Sequence, residues 1–366
     1  MSIDAPAQPR IRTHSLNDVR AHIPESCYRR SPLRAAAALL QGALLYLVPL
    51  TALVFIHQWW ALLLLWPLTG LGAAGLFVLG HDASHQALFD SRRANRLAAR
   101  AAMVPALHAE AAWDLGHNRV HHGYTTRQGF DFVWHPLTVE EYRELGRLAR
   151  LQHRLEWSCF GSGAYFLREV WWNKMWKFSA PGKRHDDIQR DKIWVGSVAG
   201  ACIAGSIVLG ALTGGLGTAI WMPFKLFIIP FLLFIHVIGW AVYVHHVAPE
   251  IRWWDRKEWT QFRGQMESTT ILHINPVINF LWMHNIMVHV PHHVDQRLPF
   301  HQLPAAATAI SEAYPGVVRN AKFRSRDYLR TTKTCKLYDF TAGTWLPYSA
   351  ALSPTVAPAV APTPAD

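Results

Sequence analysis

Cysteine is scarce: Cys27, Cys159, Cys202 and Cys335 are the only four in 366 residues. Four widely spaced thiols exclude a secreted disulfide scaffold. They also leave no spacing suited to a cysteine zinc site or an iron–sulfur cluster. Acidic residues are short as well, with 25 Asp and Glu against 36 Lys and Arg and a formal net charge of +11. The first 30 residues hold no apolar run ahead of a small-residue cleavage site, so a cleavable signal peptide is not expected and the first apolar span is the expected targeting element. What is abundant sits oddly with this. Half the chain, 51%, is hydrophobic, yet the mean hydropathy is only +0.05. Whole-chain disorder is excluded, and apolar and basic residues must be segregated. The 17 Trp and 21 His exceed what a core requires.

Four apolar stretches, about 35–56, 60–80, 193–212 and 226–247, reach the roughly 20 residues a bilayer demands. None contains Asp, Glu, Lys or Arg, which counts against an ion-conducting transporter or a non-enzymatic membrane metal carrier. Only His57, Gln58 and Trp59 separate the first two, and Gly214, Gly215 and Gly217 lie between the other two, so two hairpins are expected. Pro49 and Pro230 are tolerable where neighbouring helices satisfy the freed carbonyls. Of the 36 basic residues all but Lys225 fall in the arm 1–34, in 81–192 or after 247. With four spans these regions share one side, and the positive-inside rule makes it cytoplasmic. The same distribution explains the charge by topology and headgroup attraction rather than nucleic acid, which is not an expected partner. Trp59, Trp60, Trp194, Trp221, Trp253 and Trp254 read as interfacial anchors, and 100–113 as an interfacial helix too short to span. The organisation expected is therefore an N-terminal arm 1–34, a membrane domain 35–305 and a C-terminal segment 306–366, with a disordered Pro/Ala-rich tail from 353.

The histidines are clustered. His81 and His85 form HxxxH; His117, His121 and His122 form HxxxHH; His289, His292 and His293 form HxxHH. Residues four apart share a helix face, so each box offers two imidazoles to one point. Eight imidazoles on one side of the membrane exceed the four ligands of a zinc ion, implying two metals or one with an idle surplus. Imidazole suits Zn, Cu, Fe and Ni alike. A zinc peptidase would need Glu where Asp82 stands.

These boxes, in this order around two hairpins, resemble the integral-membrane fatty acid desaturases, especially the acyl-lipid Δ12/ω3-type branch. The flanks agree: 17–28 (NDVRAHIPESCY), 80–89 (GHDASHQALF), 131–138 (DFVWHPLT) and 284–293 (HNIMVHVPHH). The resemblance spans about 16–304. It implies an all-α integral membrane protein with four transmembrane helices in two hairpins. A cytoplasmic helical cap would carry a histidine-rich dimetal site, and both termini would be cytoplasmic. It implies two iron ions with O2 as co-substrate, ligated by His81, His85, His117, His121, His122, His289, His292 and His293. A ninth ligand comes by registry from His246, with His245 replacing the branch's Gln. Asp82 is expected to fix a neighbouring imidazole, and His284 to ligate or donate from behind. The implied activity is removal of two hydrogens from a lipid or fatty acyl chain to leave a cis double bond. The electrons would come from a separate ferredoxin or cytochrome b5-type donor, since no such module is present in the chain. A fatty acyl hydroxylase or acetylenase, or a carotenoid ketolase or hydroxylase, shares the same boxes.

Overall fold

In the computed structural model, residues 14–352 are described; the expected disordered tail lies outside them. Ser31 caps a helix whose first residue is Pro32, where a missing N–H costs nothing. That helix, Pro32–Phe55, turns within three residues into Trp59–Ser84. The two lie close because a glycine lets one backbone reach the other: a Cβ on Gly72 would sit 2.5 Å from the Leu45 carbonyl oxygen.

A third apolar helix, Lys183–His246, runs for 64 residues. It is not one rod. Gly214 and Gly215 leave helical geometry, Gly215 with a φ of +71°. Beyond them, a Cβ on Gly210 would lie 2.7 Å from the Cα of Ala219, about 13 Å away along an unbroken helix. The chain folds back there. A π-turn at Phe224–Ile228 leads into Ile229–His246. Among the described residues these three helices are long and apolar enough to cross a membrane, and the protein is membrane-associated.

Lys225, the one basic residue outside the three basic regions, falls between the third and fourth expected stretches. It lies in the π-turn Phe224–Ile228 of the third apolar helix, fully buried, with Nζ 3.2 Å from Nδ1 of His57 in the first turn. The segment 100–113 is likewise not one helix. Arg92–Met103 ends first, Leu107 takes a φ of +51°, and a new helix starts at Glu110. Trp253 and Trp254 are not interfacial anchors. Both are buried, their indole N–H groups donating to the His246 carbonyl (3.4 Å) and the Ser268 hydroxyl (2.9 Å). Nor is the chain purely helical. Thr270–His273 pairs in parallel with Arg319–Lys322, and Leu337–Asp339 pairs antiparallel with Thr344–Leu346.

The main core joins Phe77 and Val78 of the Trp59–Ser84 helix to Phe234, Ile238 and Tyr243 of the last apolar helix. Trp134, Trp157 and Tyr165 belong to the same core. This core sits directly beneath the histidines.

Candidate metal centre

His81 and His85 project from the end of Trp59–Ser84, and His246 from the end of Ile229–His246. The second box lies on a π-helical segment, Asp114–His121, in which the His122 N–H donates to the His117 carbonyl five residues back. The third box forms the short helix His289–Val294. All nine imidazoles expected as ligands are buried and fall into two groups. His81, His85, His117, His122 and His292 make one; His121, His246, His289 and His293 make the other. Within each group the facing atoms lie within 4.8 Å of one another.

This partition is not the one that four-residue spacing suggests. His117 and His121 go to different groups, and His117 shares its group with His122 instead. A π-helix, with its i→i+5 bonds, brings residues five apart onto one face. The third box is divided too, His292 facing the first group while His289 and His293 face the second. His245 belongs to neither; its ring stacks on His289 at 3.8 Å. His284 also lies outside both. It is buried with a left-handed backbone and packs against Phe300, and its Nε2 has no partner.

Hydrogen bonds from behind fix several tautomers. His81 Nδ1 is 2.9 Å from Asp82 Oδ1, and His121 Nδ1 is 3.0 Å from Asp131 Oδ1. His246 Nδ1 donates to the Ser268 carbonyl (3.2 Å) and His293 Nδ1 to Gln265 Oε1 (2.6 Å). A ring whose Nδ1 carries the proton presents a bare Nε2 lone pair at its other edge. The Nε2 atoms of these rings and of the other box histidines converge. Nε2 to Nε2 separations are 2.9 Å for His81–His117 and His289–His293, and 3.2 Å for His117–His122 and His122–His292. Two imidazoles on one ion at about 2.1 Å are separated by roughly 3.0 Å at a right angle and 3.4 Å at a tetrahedral one. His85 is buried with neither ring nitrogen partnered, and Nε2 of His246 is orphaned as well. Such groups are costly without a partner, and a cation at each centre would satisfy them. Burial holds His117, His122, His289, His292 and His293 well below the ordinary imidazole pKa, reinforced by the neighbouring imidazoles. They are neutral, the form that binds metal.

Three supporting residues were not singled out from sequence. Asp131 accepts from His121 and also from the N–H groups of Thr126 (2.7 Å) and Val133 (2.9 Å). Gln265 accepts from His293 while its Nε2 donates to the His122 carbonyl (2.6 Å). Thr125 donates to the His121 carbonyl (2.7 Å), joining the second box to Gln265, which its hydroxyl also meets at 3.0 Å. A cavity of about 60 Å³ adjoins the histidines, walled by apolar side chains including Phe77, Trp113, Val133 and Ile238 together with His81, His117 and His246.

The fatty acid desaturase family matches residues 57–324. The chain is 28% identical over 324 residues to an sn-1 oleoyl-lipid 12-desaturase of Picosynechococcus sp., covering 88% of this chain and 90% of that protein. It is 27% identical to a chloroplastic omega-6 fatty acid desaturase of Glycine max, covering 89% and 74%. To an sn-1 oleoyl-lipid 12-desaturase of Synechocystis sp. it is 26% identical, covering 88% and 89%. The chain belongs to the fatty acid desaturase family. It is a membrane fatty acid desaturase, an oxidoreductase acting on lipid substrates.

Proposed function

We propose that the two histidine groups each hold one iron ion, and that the pair serves O2-dependent insertion of a cis double bond into a membrane-lipid acyl chain. In this reading His81, His85, His117, His122 and His292 ligate the first ion, and His121, His246, His289 and His293 the second. Asp82, Asp131, Gln265 and the Ser268 carbonyl orient the rings. His245 packs against a ligand rather than ligating, and His284 has no part in the site. The observation that carries the reading is the convergence of imidazole nitrogens in two buried groups beside an apolar cavity.

Bound iron supplies the O2-derived oxidant that an unactivated C–H bond requires. The chain's own residues do the rest. Phe77, Val78, Trp113, Val133 and Ile238 exclude water and hold an acyl segment against the imidazoles. A bend in that segment would enforce the cis geometry. The names of the relatives support an oleoyl-lipid substrate attacked at its 12-position. The interrupted third helix supports four spans in two hairpins, and the basic distribution a cytoplasmic site and termini. The membrane domain is taken as 35–305, between the arm and the C-terminal segment. Two electrons per turnover come from a separate ferredoxin or cytochrome b5-type carrier docking on the face bearing Arg92, Arg93 and Lys183. Charge reversal at those three positions is expected to slow reduction by such a carrier; unchanged rates would place docking elsewhere.

Expression in a host of known lipid content, with fatty-acid methyl esters profiled by mass spectrometry, tests the function. Loss of two hydrogens at the 12-position of an 18-carbon monoene is expected. A gain of one oxygen, or no change across chain lengths, would overturn it.

A further inference from the structure

The Arg147–Glu156 helix belongs to no expected span, yet it displays a stripe of uncovered leucines. Leu148, Leu151 and Leu155 are 83%, 54% and 59% exposed, and Phe160 just beyond is 83% exposed. Their spacing of three and four places them on one face. The other face is spoken for: His153 and Glu156 are buried, and His153 Nδ1 lies 2.7 Å from the Tyr348 hydroxyl. Arg147 and Arg154 are exposed beside the stripe.

Two contacts set the level at which the stripe lies. Immediately after Phe160 the chain is pressed on the last apolar helix: a Cβ on Gly239 would meet the Ser162 carbonyl oxygen at 2.4 Å, and one on Gly163 the His236 Cα at 2.9 Å. Tyr328 donates to the Cys159 carbonyl (2.6 Å) and packs on Tyr243 of the same apolar helix, and its neighbour Leu329 is 46% exposed. The stripe is therefore continuous with the surface of a membrane-crossing segment. A leucine face flanked by arginines is the pattern of a helix lying in the headgroup plane.

Behind this helix is a cavity of about 480 Å³ whose wall includes Ala149, Gln152 and Arg168. Phe132 and Lys174 belong to its wall and also to the wall of the apolar cavity at the histidines. These two side chains stand between the outer cavity, whose wall mixes charged and apolar residues, and the apolar one at the metal site.

We propose that the Arg147–Glu156 helix lies in the membrane surface with its leucine stripe among the acyl chains, and that the cavity behind it is the vestibule through which a membrane glycerolipid feeds its acyl chain to the histidines. The polar ester end remains in the vestibule against Gln152, Arg168 and Lys174, and the chain passes Phe132. This rests on the desaturase reading of the histidine site and adds to it the route by which a bilayer lipid reaches that site.

The full chain in dioleoylphosphatidylglycerol vesicles tests it. A nitroxide on L151C, in a C159S/C202S background, should be relaxed more by oxygen than by a water-soluble nickel chelate. The reverse order, or shielding from both by a second copy or the chain's own terminus, overturns the placement. The L148S/L151S/L155S variant should lose at least fivefold in turnover of vesicle lipid while keeping its iron and its turnover of the same lipid in detergent micelles; unchanged vesicle turnover overturns the docking. Ala149→Trp should abolish turnover in both settings with iron retained, and unchanged turnover overturns the vestibule. If the wild type desaturates neither preparation, the desaturase reading itself fails, whereas the nitroxide still decides where the helix lies.

Discussion

Asp131 stands behind His121, its Oδ1 3.0 Å from the ring Nδ1, and both side chains are buried. The same carboxylate closes the turn that follows the second box, accepting the N–H groups of Thr126 and Val133. It therefore sets both the tautomer of one imidazole and the path of the chain beside it. Replacing it by Asn keeps the volume but removes the charge and allows an amide to face Nδ1. Asp131→Asn is expected to weaken metal binding at the four-histidine group by 10–100-fold, so purified protein should carry about one iron per chain rather than two. Iron assay with turnover measured in parallel checks this; full iron content would show that the carboxylate serves the turn alone.

The division of the second box makes a sharper expectation. His117→Ala removes a member of the five-histidine group and His121→Ala a member of the four-histidine group. Each single variant should lose chiefly one ion, and the double variant both, with activity abolished in all three. If the two residues shared a site, as their four-residue spacing alone suggests, the double variant would hold as much iron as either single one.

The boxes were legible because histidine clusters of this kind are conspicuous in any segment, and the nine residues they and His246 supplied are those the structure brings together. Their division was not legible. Four-residue spacing presumes an α-helix, whereas 114–121 is π-helical, and nothing in the periodicity marks that change. Asp131 was hidden because it reaches His121 across a turn in which Thr126 has a φ of +56°. Gln265 and Ser268 were hidden because they lie far along the chain from the rings they serve. The hydropathy runs gave the apolar helices, but a run that stops at Leu226 put Lys225 outside the segment that in fact buries it. The two small sheets, each only three or four residues per strand, are too short to show any alternation.

Close helix packing beneath the site rests on glycine. A Cβ on Gly239 would meet the Ser162 carbonyl oxygen at 2.4 Å and its carbon at 2.8 Å, backbone atoms that cannot swing away. Gly239→Ala must push the Ser162–Tyr165 helix off the last apolar helix, and overpacking of this kind costs about 1–3 kcal/mol. Lower folded yield and a lower thermal midpoint are expected in detergent. Gly196→Ala, with open space around its Cβ, is the control and should match the wild type.

Glu110 should make stability depend on pH near neutrality. Its carboxyl is pushed up to about 7, first by burial and then by the negative charges of Asp191 and Asp114, which Arg100 and Arg96 only partly offset. Unfolded, it titrates near 4.5. The folded state thus holds the proton more tightly than the unfolded one. That contribution is complete below about 4.5 and is lost as pH rises through about 7, because the unfolded chain ionises freely while the folded one must either retain the proton or bury a charge. At pH 8 the loss is on the order of 2 kcal/mol, allowing for the group's partial exposure. Thermal midpoints of the wild type should therefore fall by a few degrees between about pH 4.5 and pH 8. Glu110→Gln, which keeps the shape and cannot ionise, should flatten that slope and match or exceed the wild type at pH 8. An equal slope in the variant would assign the pH dependence to another group.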